Sequence, residues 1–392
     1  MEHLIYLDNA ATTKVYKEVF EAMVPYFEDY YGNPQSIYTF AQKSSVVVEH
    51  ARETIANFIN AKSSEIYFTS GGSESDNWAI KSVAYTLQNK GKHIITSKIE
   101  HHAVLHSMKF LEKQGFEVTY LDVLPNGVVD INQLKAAIRP DTILISIMAA
   151  NNEIGTIEPI KEIGNIAKEH NILFHTDAVQ AFGHIPIDVE EMNIDLLSAS
   201  GHKIGGPKGI GFMYARRTVK LEPLIHGGAQ ERNKRAGTHN VPGIVGMSKA
   251  VEIAAQGMLQ NMEKISSLRD YLIEKVLTAI PYVKLNGDEK LRLPNNANFS
   301  FRFIEGESML IMLDQAGVCA SSGSACTSGS LDPSHVLLAI GLPHEIAHGS
   351  LRLTLSEFNT KEEIDYTVEK LISIIERLRN MSPLYEDFIA GK

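Results

Sequence analysis

Lys203 is the residue of this 392-residue chain whose surroundings most suggest covalent chemistry. It lies in Ser200-Gly201-His202-Lys203-Ile204-Gly205-Gly206-Pro207-Lys208-Gly209, just after a strand-like run, where small neighbours display one amine for Schiff-base chemistry with an aldehyde. Other stretches agree on a ligand for it. Thr69-Ser70-Gly71-Gly72-Ser73-Glu74 joins a strand to a helix, so that backbone N–H groups at the helix start and the Ser73 hydroxyl can approach a phosphate, although Gly-Ser turns also serve as plain helix caps. Ser200 and His202 are placed to bind the same phosphate. Asp177, in His175-Thr176-Asp177-Ala178-Val179-Gln180, ends an apolar strand, where open α/β sheets hold ligands and where a carboxylate can keep a pyridinium nitrogen protonated. His101, after the strand ending at Thr96, can lie against a bound ring at the same sheet edge. His102 and His106 are four apart on a helix, but no further ligand is grouped with them in the sequence, so solvated side chains are expected there and no metal.

The elements that must position these groups alternate. Strand-like runs at 65–69, 93–96, 118–121, 142–148, 172–175, 194–199 and 210–214 are separated by helical patterns from 74, 102, 131 and 160. That alternation indicates βαβ units around a mostly parallel sheet. After Pro242 the pattern becomes one long helix to about Ile280, with Leu268, Leu272 and Val276 on one face. Strands near 298–303 and 351–355 then enclose helices at 308–315 and 362–379, a second α/β unit whose boundary with the first falls near residue 260.

Bulk composition narrows the function classes. With 44% hydrophobic and 21% charged residues the chain can bury two cores. A formal net charge of -10 argues against a direct nucleic-acid or membrane-surface binder. No leader-like segment and no long apolar run is visible, so a cytoplasmic protein is expected. Its only cysteines, Cys319 and Cys326, are too few for a disulfide framework and fit no paired zinc pattern, which leaves a thiol for chemistry.

With those residues assembled, the chain resembles the cysteine desulfurases of the NifS/IscS type, within the fold-type-I pyridoxal-phosphate enzymes of the class V aminotransferase group. The likeness runs through Tyr6-Leu7-Asp8-Asn9-Ala10-Ala11-Thr12-Thr13, Tyr31 to Pro34, Glu100-His101, Ala150 to Gly155, His175 to Gln180, Gly201 to Lys203, Arg235 to Thr238, Ser322 to Thr327 and Arg352. The cysteine segment is the most specific, because transaminases sharing the lysine have no need of it. With Asp332 to Leu337 following, it looks like the subgroup with a longer cysteine loop.

The resemblance implies an α/β fold with a mostly parallel, seven-stranded mixed sheet between helices in a large domain of residues 15–260. A smaller α/β domain would comprise 1–14 and 261–392 and carry the cysteine loop at about 321–332. Pyridoxal 5'-phosphate would be carried by Lys203, with Asp177 on the ring nitrogen, Gln180 on the ring hydroxyl and His101 stacked on the ring. Gly72, Ser73, Ser200 and His202 would hold the phosphate, and Thr238 would reach the partner subunit's phosphate, which implies a homodimer with shared sites. Asn152 and Arg352 would bind the substrate carboxylate, and Cys326 would take sulfur from L-cysteine as a persulfide, leaving L-alanine. Lys203 would also act as the general base, and His101 is the nearest candidate to assist in forming the thiolate. An iron–sulfur scaffold or a tRNA-thiolation protein would accept the sulfur. Small departures from the family pattern stand at Gly72-Ser73 and Gly201, and Tyr38 replaces a family histidine whose role is not carried over.

Other reactions of the same scaffold compete: an aminotransferase, a selenocysteine lyase or a cysteine sulfinate desulfinase. A non-catalytic assembly partner is the rival from another class. The presence of Lys203, Asp177 and Cys326 together argues against it. Cys319, in a strand-like stretch, reads as a structural residue.

Overall fold

A computed structural model describes residues 4–322 and 333–391. Twelve strands occur among the described residues: β1 Ile5–Tyr6, β2 Ile66–Thr69, β3 His93–Ser97, β4 Glu117–Leu121, β5 Thr142–Ser146, β6 Leu173–Asp177, β7 Leu196–Ser200, β8 Gly211–Ala215, β9 Val283–Asn286, β10 Asn296–Phe301, β11 Val318–Cys319 and β12 Ser350–Thr354. The expected bounds are met within a few residues, as fraying ends and caps allow. The helix anticipated from Glu74 begins at Gly72, so its N-terminal N–H groups open directly onto the glycines.

Seven of the strands form one sheet in the order β2-β8-β7-β6-β5-β3-β4. The neighbours from β7 through β4 pair in parallel, while β8 runs antiparallel to both β7 and β2. The inner parallel strands β3, β5 and β7 are buried throughout because helices cover both faces, whereas the edge strand β4 buries only Leu121. On one face Val19, Ile55, Ile163 and Ile244 pack beneath the sheet; on the other Trp78, Val83, Met108 and Leu111 do. This is the α/β, mostly parallel architecture that the alternation implied, and the seven-stranded mixed sheet that the resemblance implied.

A second core forms around the antiparallel sheet β12-β10-β9 and the pair β1-β11, with Phe299, Phe301, Leu351, Leu353 and Leu371 at its centre. The Val241–Ala279 helix joins the two. Asn240 caps it by accepting from the Gly243 N–H, at 3.1 Å. Its first turns bury Ile244, Met247 and Val251 in the large core, and its later turns bury Ile265, Leu272 and Val276 in the small one. We propose that the division into domains falls within this helix, with residues 4–14 counted with the small one because Ile5 and Leu7 lie in its core. None of the helices among the described residues is long and apolar enough to cross a membrane.

A buried ion pair fixes the conformation of the 231–233 segment. Arg52, on the Thr39–Phe58 helix, donates to both carboxylate oxygens of Glu231 at 2.8 and 2.9 Å, and to the Ile66 carbonyl. Glu231 also accepts from the Phe68 N–H and pairs with His239 at 2.7 Å. These contacts hold Glu231, Arg232 and Asn233 in consecutive left-handed conformations, with φ of 46°, 56° and 62°, at an energetic cost of roughly 1 kcal/mol or more per residue. Burial by itself would raise the Glu231 carboxyl, but His239 and Arg52 hold it down to about 2. Glu231→Ala should therefore cost about 3 to 5 kcal/mol in urea unfolding, because it strands a buried guanidinium. A carboxylate depressed below its ordinary 4.5 stabilises the fold above that pH and loses the contribution as pH falls towards 2. The stability gap between wild type and Glu231→Gln should accordingly narrow over that range, and a gap independent of pH would count against the pairing.

Candidate active site

The site is built at the carboxyl ends of β3, β6 and β7, where the sheet's parallel strands deliver their loops. Lys203 closes a short 3-10 turn, Gly201–Lys203, immediately after β7. Its Nζ donates to the carbonyls of Ala10 and Ala11 at 2.5 and 2.8 Å. The N-terminal strip is tied there in turn: the Thr13 N–H and hydroxyl both donate to the His202 carbonyl, and the Gly205 N–H donates to the Thr13 hydroxyl. Gly205 must be glycine, since its φ is +76° and a Cβ would sit 2.0 Å from the Tyr16 ring. The Tyr6 to Thr13 stretch thus acts as a clasp on the lysine turn, a role its composition alone did not disclose.

Beside the lysine, Ser70 to Glu74, Ser200, His202, Lys208 and Thr12 line a cleft of about 440 Å3. Three features of this cleft suit an anion: the open N-terminus of a 16-residue helix, the hydroxyls of Ser70, Ser73 and Ser200, and a histidine ring. A Cβ on Gly72 would come within 2.5 Å of a Val179 methyl, so this first helical residue packs against the strand-six loop only as glycine. His202 is kept neutral, its acidity shifted to about 4 by burial and by Lys203 and Lys208, so it can donate one N–H without adding a charge. Its Nδ1 lies 3.1 Å from the Thr12 hydroxyl.

Asp177 ends β6 and accepts from the Val179 N–H at 2.9 Å. Burial raises its carboxyl, while that N–H and Lys203 pull the other way. Gln180 donates its amide to the Ala10 carbonyl at 3.0 Å. His101 caps the His102–Glu112 helix, its Nδ1 accepting from the Ala103 N–H at 3.2 Å. Burial, then Lys203, lowers it to about 4, so the ring is neutral at pH 7. With Nδ1 occupied as an acceptor, the proton sits on Nε2. His101 therefore faces the site as a donor, and accepting a proton there requires it to give up the cap.

The two residues expected at the substrate carboxylate come from different elements, Asn152 from the turn that follows β5 and Arg352 from β12. Arg352 on β12 is 2% exposed, donates to the Asn152 carbonyl at 3.0 Å and pairs with Asp8 at 2.8 Å. Asn151 accepts from the N–H groups of Glu153 and Ile154, which shapes the turn presenting Asn152. Thr238 is exposed and does not line the cleft, although Arg235 next to it pairs with Glu74 at 2.8 Å. Cys326 lies outside the described residues. The chain on either side of the undescribed stretch is anchored at this site: Ser321 exchanges backbone hydrogen bonds with Arg352, Ser334 donates to buried Glu153, and His335 meets the Glu100 carbonyl.

Cys319 is half-buried, and burial raises its thiol, followed by Asp314 and Asp8. His106 is exposed and His102 half-exposed, and His102 also has ring neighbours that local spacing only partly shows. Its ring lies 5.2 Å from His106 and 4.8 Å from His335, a residue remote in sequence and so invisible to local spacing. Among the described residues, however, the only histidine and carboxylate group close enough to share an ion is Asp76, His101 and Asp177, inside the site itself. Asp76 and Asp8 are the residues that sequence reasoning missed; Asp8 stood within a singled-out motif, but its partner is 344 positions away. A larger cavity of about 540 Å3 lies on the other side of Lys203, which lines it with Thr12, Tyr16, His184, Met258 and Phe358, and it includes none of His101, Asp177 or the Ser70–Glu74 turn.

The model of the aminotransferase class-V family matches residues 5–367. The chain belongs to that family. As a class-V aminotransferase relative it is 58% identical over 394 aligned positions to the cysteine desulfurase IscS of Clostridium botulinum, covering 100% of this chain and 99% of that one. Its fold matches a NifS-like protein with a TM-score of 0.91 at 40% identity, over 96% of this chain and 100% of the other. The structure of SspA in complex with cysteine matches at 42% identity and a TM-score of 0.82, over 91% of this chain and 100% of that one. The class-V membership accounts for the mixed sheet and the lysine turn together.

Proposed function

We propose that the protein is a pyridoxal-phosphate-dependent cysteine desulfurase, converting L-cysteine to L-alanine and leaving the sulfur as a persulfide on Cys326. What carries this reading is the meeting of the Lys203 amine, neutral His101, buried Asp177 and the glycine-hydroxyl cradle at one sheet edge. The likeness to IscS of C. botulinum and to SspA with bound cysteine supports the choice of substrate.

The residues present fit the cofactor. Gly72, Ser73, Ser200 and His202 offer donors to a dianionic phosphate, Asp177 offers a carboxylate to a protonated ring nitrogen, Gln180 an amide to the ring hydroxyl, and Lys203 an amine to the aldehyde. When bound, the cofactor withdraws electrons from the substrate's Cα, which acidifies it. Lys203 receives the Cα proton. His101, capped and neutral, supports the ring without placing a second cation beside Lys203. Arg352 and Asn152 bind the substrate carboxylate, with Asp8 keeping the guanidinium in plane until it arrives. The Cys326 thiolate attacks the substrate sulfur; the carbon–sulfur bond breaks as the sulfur–sulfur bond forms, its electron pair staying with Cβ, and the carbon fragment takes up a proton at Cβ and recovers one at Cα from Lys203 to leave as alanine. No external oxidant is needed, because the sulfur's two electrons stay with the carbon.

A cytoplasmic homodimer, in which Thr238 of each subunit reaches the other's phosphate cradle, completes the proposal, with delivery of sulfur to an iron–sulfur scaffold or a tRNA-thiolation protein. The exposed position of Thr238 suits that reach. The test is direct. Protein reconstituted with pyridoxal phosphate and given L-cysteine and a thiol reductant should release alanine and sulfide in equal amounts; pyruvate in place of alanine, or no turnover, overturns the reading.

A further inference from the structure

Asp76 lies one turn into the Gly72–Leu87 helix and is 1% exposed. One of its carboxyl oxygens comes within 4.8 Å of both a carboxyl oxygen of Asp177 and a ring nitrogen of His101. Its side chain takes a hydrogen bond from Ser198, yet Oδ1 has no partner among the described residues. His175 Nε2, 3.7 Å from that oxygen, is already engaged with the Ser198 hydroxyl at 3.0 Å, and His175 Nδ1 with the Ser146 hydroxyl at 2.9 Å. Burial keeps His175 neutral, shifted to about 3.

The groups found around Asp76 among the described residues are carboxyls, hydroxyls and neutral imidazoles. From β6 come Asp177 and His175, from β7 Ser198, and from the turn before the next helix Glu100 and His101. Lys203 acts on Asp177 instead, which also has the Val179 N–H. Two buried carboxyls at this separation cannot both carry charge cheaply, and the one with the cation and the backbone donor takes it. The other keeps its proton.

We propose that Asp76 is a positioning residue that stays protonated in the folded protein and turns its neutral carboxyl towards Asp177, leaving Asp177 as the single negative charge presented to the ligand. The consequence for the cofactor rests on the reading that Asp177 faces the ring nitrogen; the protonation itself does not. A neutral carboxyl at position 76 stops the site from holding two negative charges against one ring proton. No bond is made or broken at Asp76.

Asparagine has the shape and donor capacity of a protonated aspartate, so it separates charge from hydrogen bonding. In the infrared difference spectrum of cofactor-free wild type minus Asp76→Asn at pH 7, a protonated-carboxyl carbonyl stretch should be lost in the variant. Loss of a carboxylate band instead overturns the proposal. Titrated with pyridoxal 5'-phosphate, Asp76→Asn should bind within about threefold of wild type, while Asp76→Ala should bind about tenfold or more weakly and shift the pH midpoint of the visible absorption by roughly one unit. Binding by Asp76→Asn as weak as by Asp76→Ala, or a folded Asp76→Ala indistinguishable from wild type, refutes it. Should Asp76→Ala fail to fold, the infrared arm decides alone. A wild-type protein that binds no pyridoxal phosphate sinks the reading of Asp177 while leaving the infrared result standing.

Discussion

Lys203→Ala should lower alanine release from L-cysteine by roughly 10³-fold or more, since the same amine both attaches the cofactor and moves the Cα proton. Cofactor binding should weaken much less, because the cradle at Gly72, Ser73, Ser200 and His202 and the carboxylate of Asp177 are untouched. Borohydride reduction followed by mass analysis distinguishes the two effects: wild type should retain the cofactor covalently at residue 203, and the variant should release it on denaturation. The fold should survive, because the clasp from Ala10 to Thr13 keeps its other bonds to His202 and Gly205 when the Lys203 amine is removed. A variant that keeps more than a tenth of wild-type turnover would remove the lysine from the chemistry.

Cys326→Ser should bring a loss of similar size, roughly 10³-fold, but with the opposite signature: normal cofactor attachment, normal visible absorption and no sulfur retained on the protein. Incubation with ³⁵S-cysteine and non-reducing electrophoresis measures this, with Cys319→Ser as the control. Cys319 pairs with Tyr6 across the β1-β11 ladder, and burial raises its thiol, so little thiolate is available there and the control should label within about twofold of wild type. Equal labelling of Cys326→Ser and wild type would reject the persulfide, and label lost from Cys319→Ser instead would move it to the other thiol.

Much of the fold was legible because its signals are local. Strand-like runs alternating with helical patterns marked the strands, and the long apolar stripe through Leu272 and Val276 marked the linking helix almost to its last residue. The antiparallel insertion of β8 and the pairing of β1 with β11 were not legible, since strand partners separated by hundreds of residues leave no trace in either segment alone. The site divides the same way. Lys203, Asp177, His101 and the Gly72-Ser73 turn each carry a neighbourhood that hints at chemistry. Asp76, by contrast, looks like any polar residue in the first turns of a helix, and Glu231 like a loop glutamate, until burial removes the water that would make their charges unremarkable.

The amino-acid order by itself determined the class of fold, the strand ends at which chemistry could sit, and which side chains could carry it, because hydrophobic period and turn composition act over a few residues. Only the tertiary structure decided which of those side chains face one another and in what charge state: that Lys203 is clasped by Ala10 and Ala11, that Arg352 rests on Asp8, that His101 is neutral with its proton on Nε2, and that one of two adjacent carboxyls must keep its proton. Proton positions follow from desolvation and from neighbours within a few ångströms, and those neighbours are gathered from segments that the linear order keeps far apart.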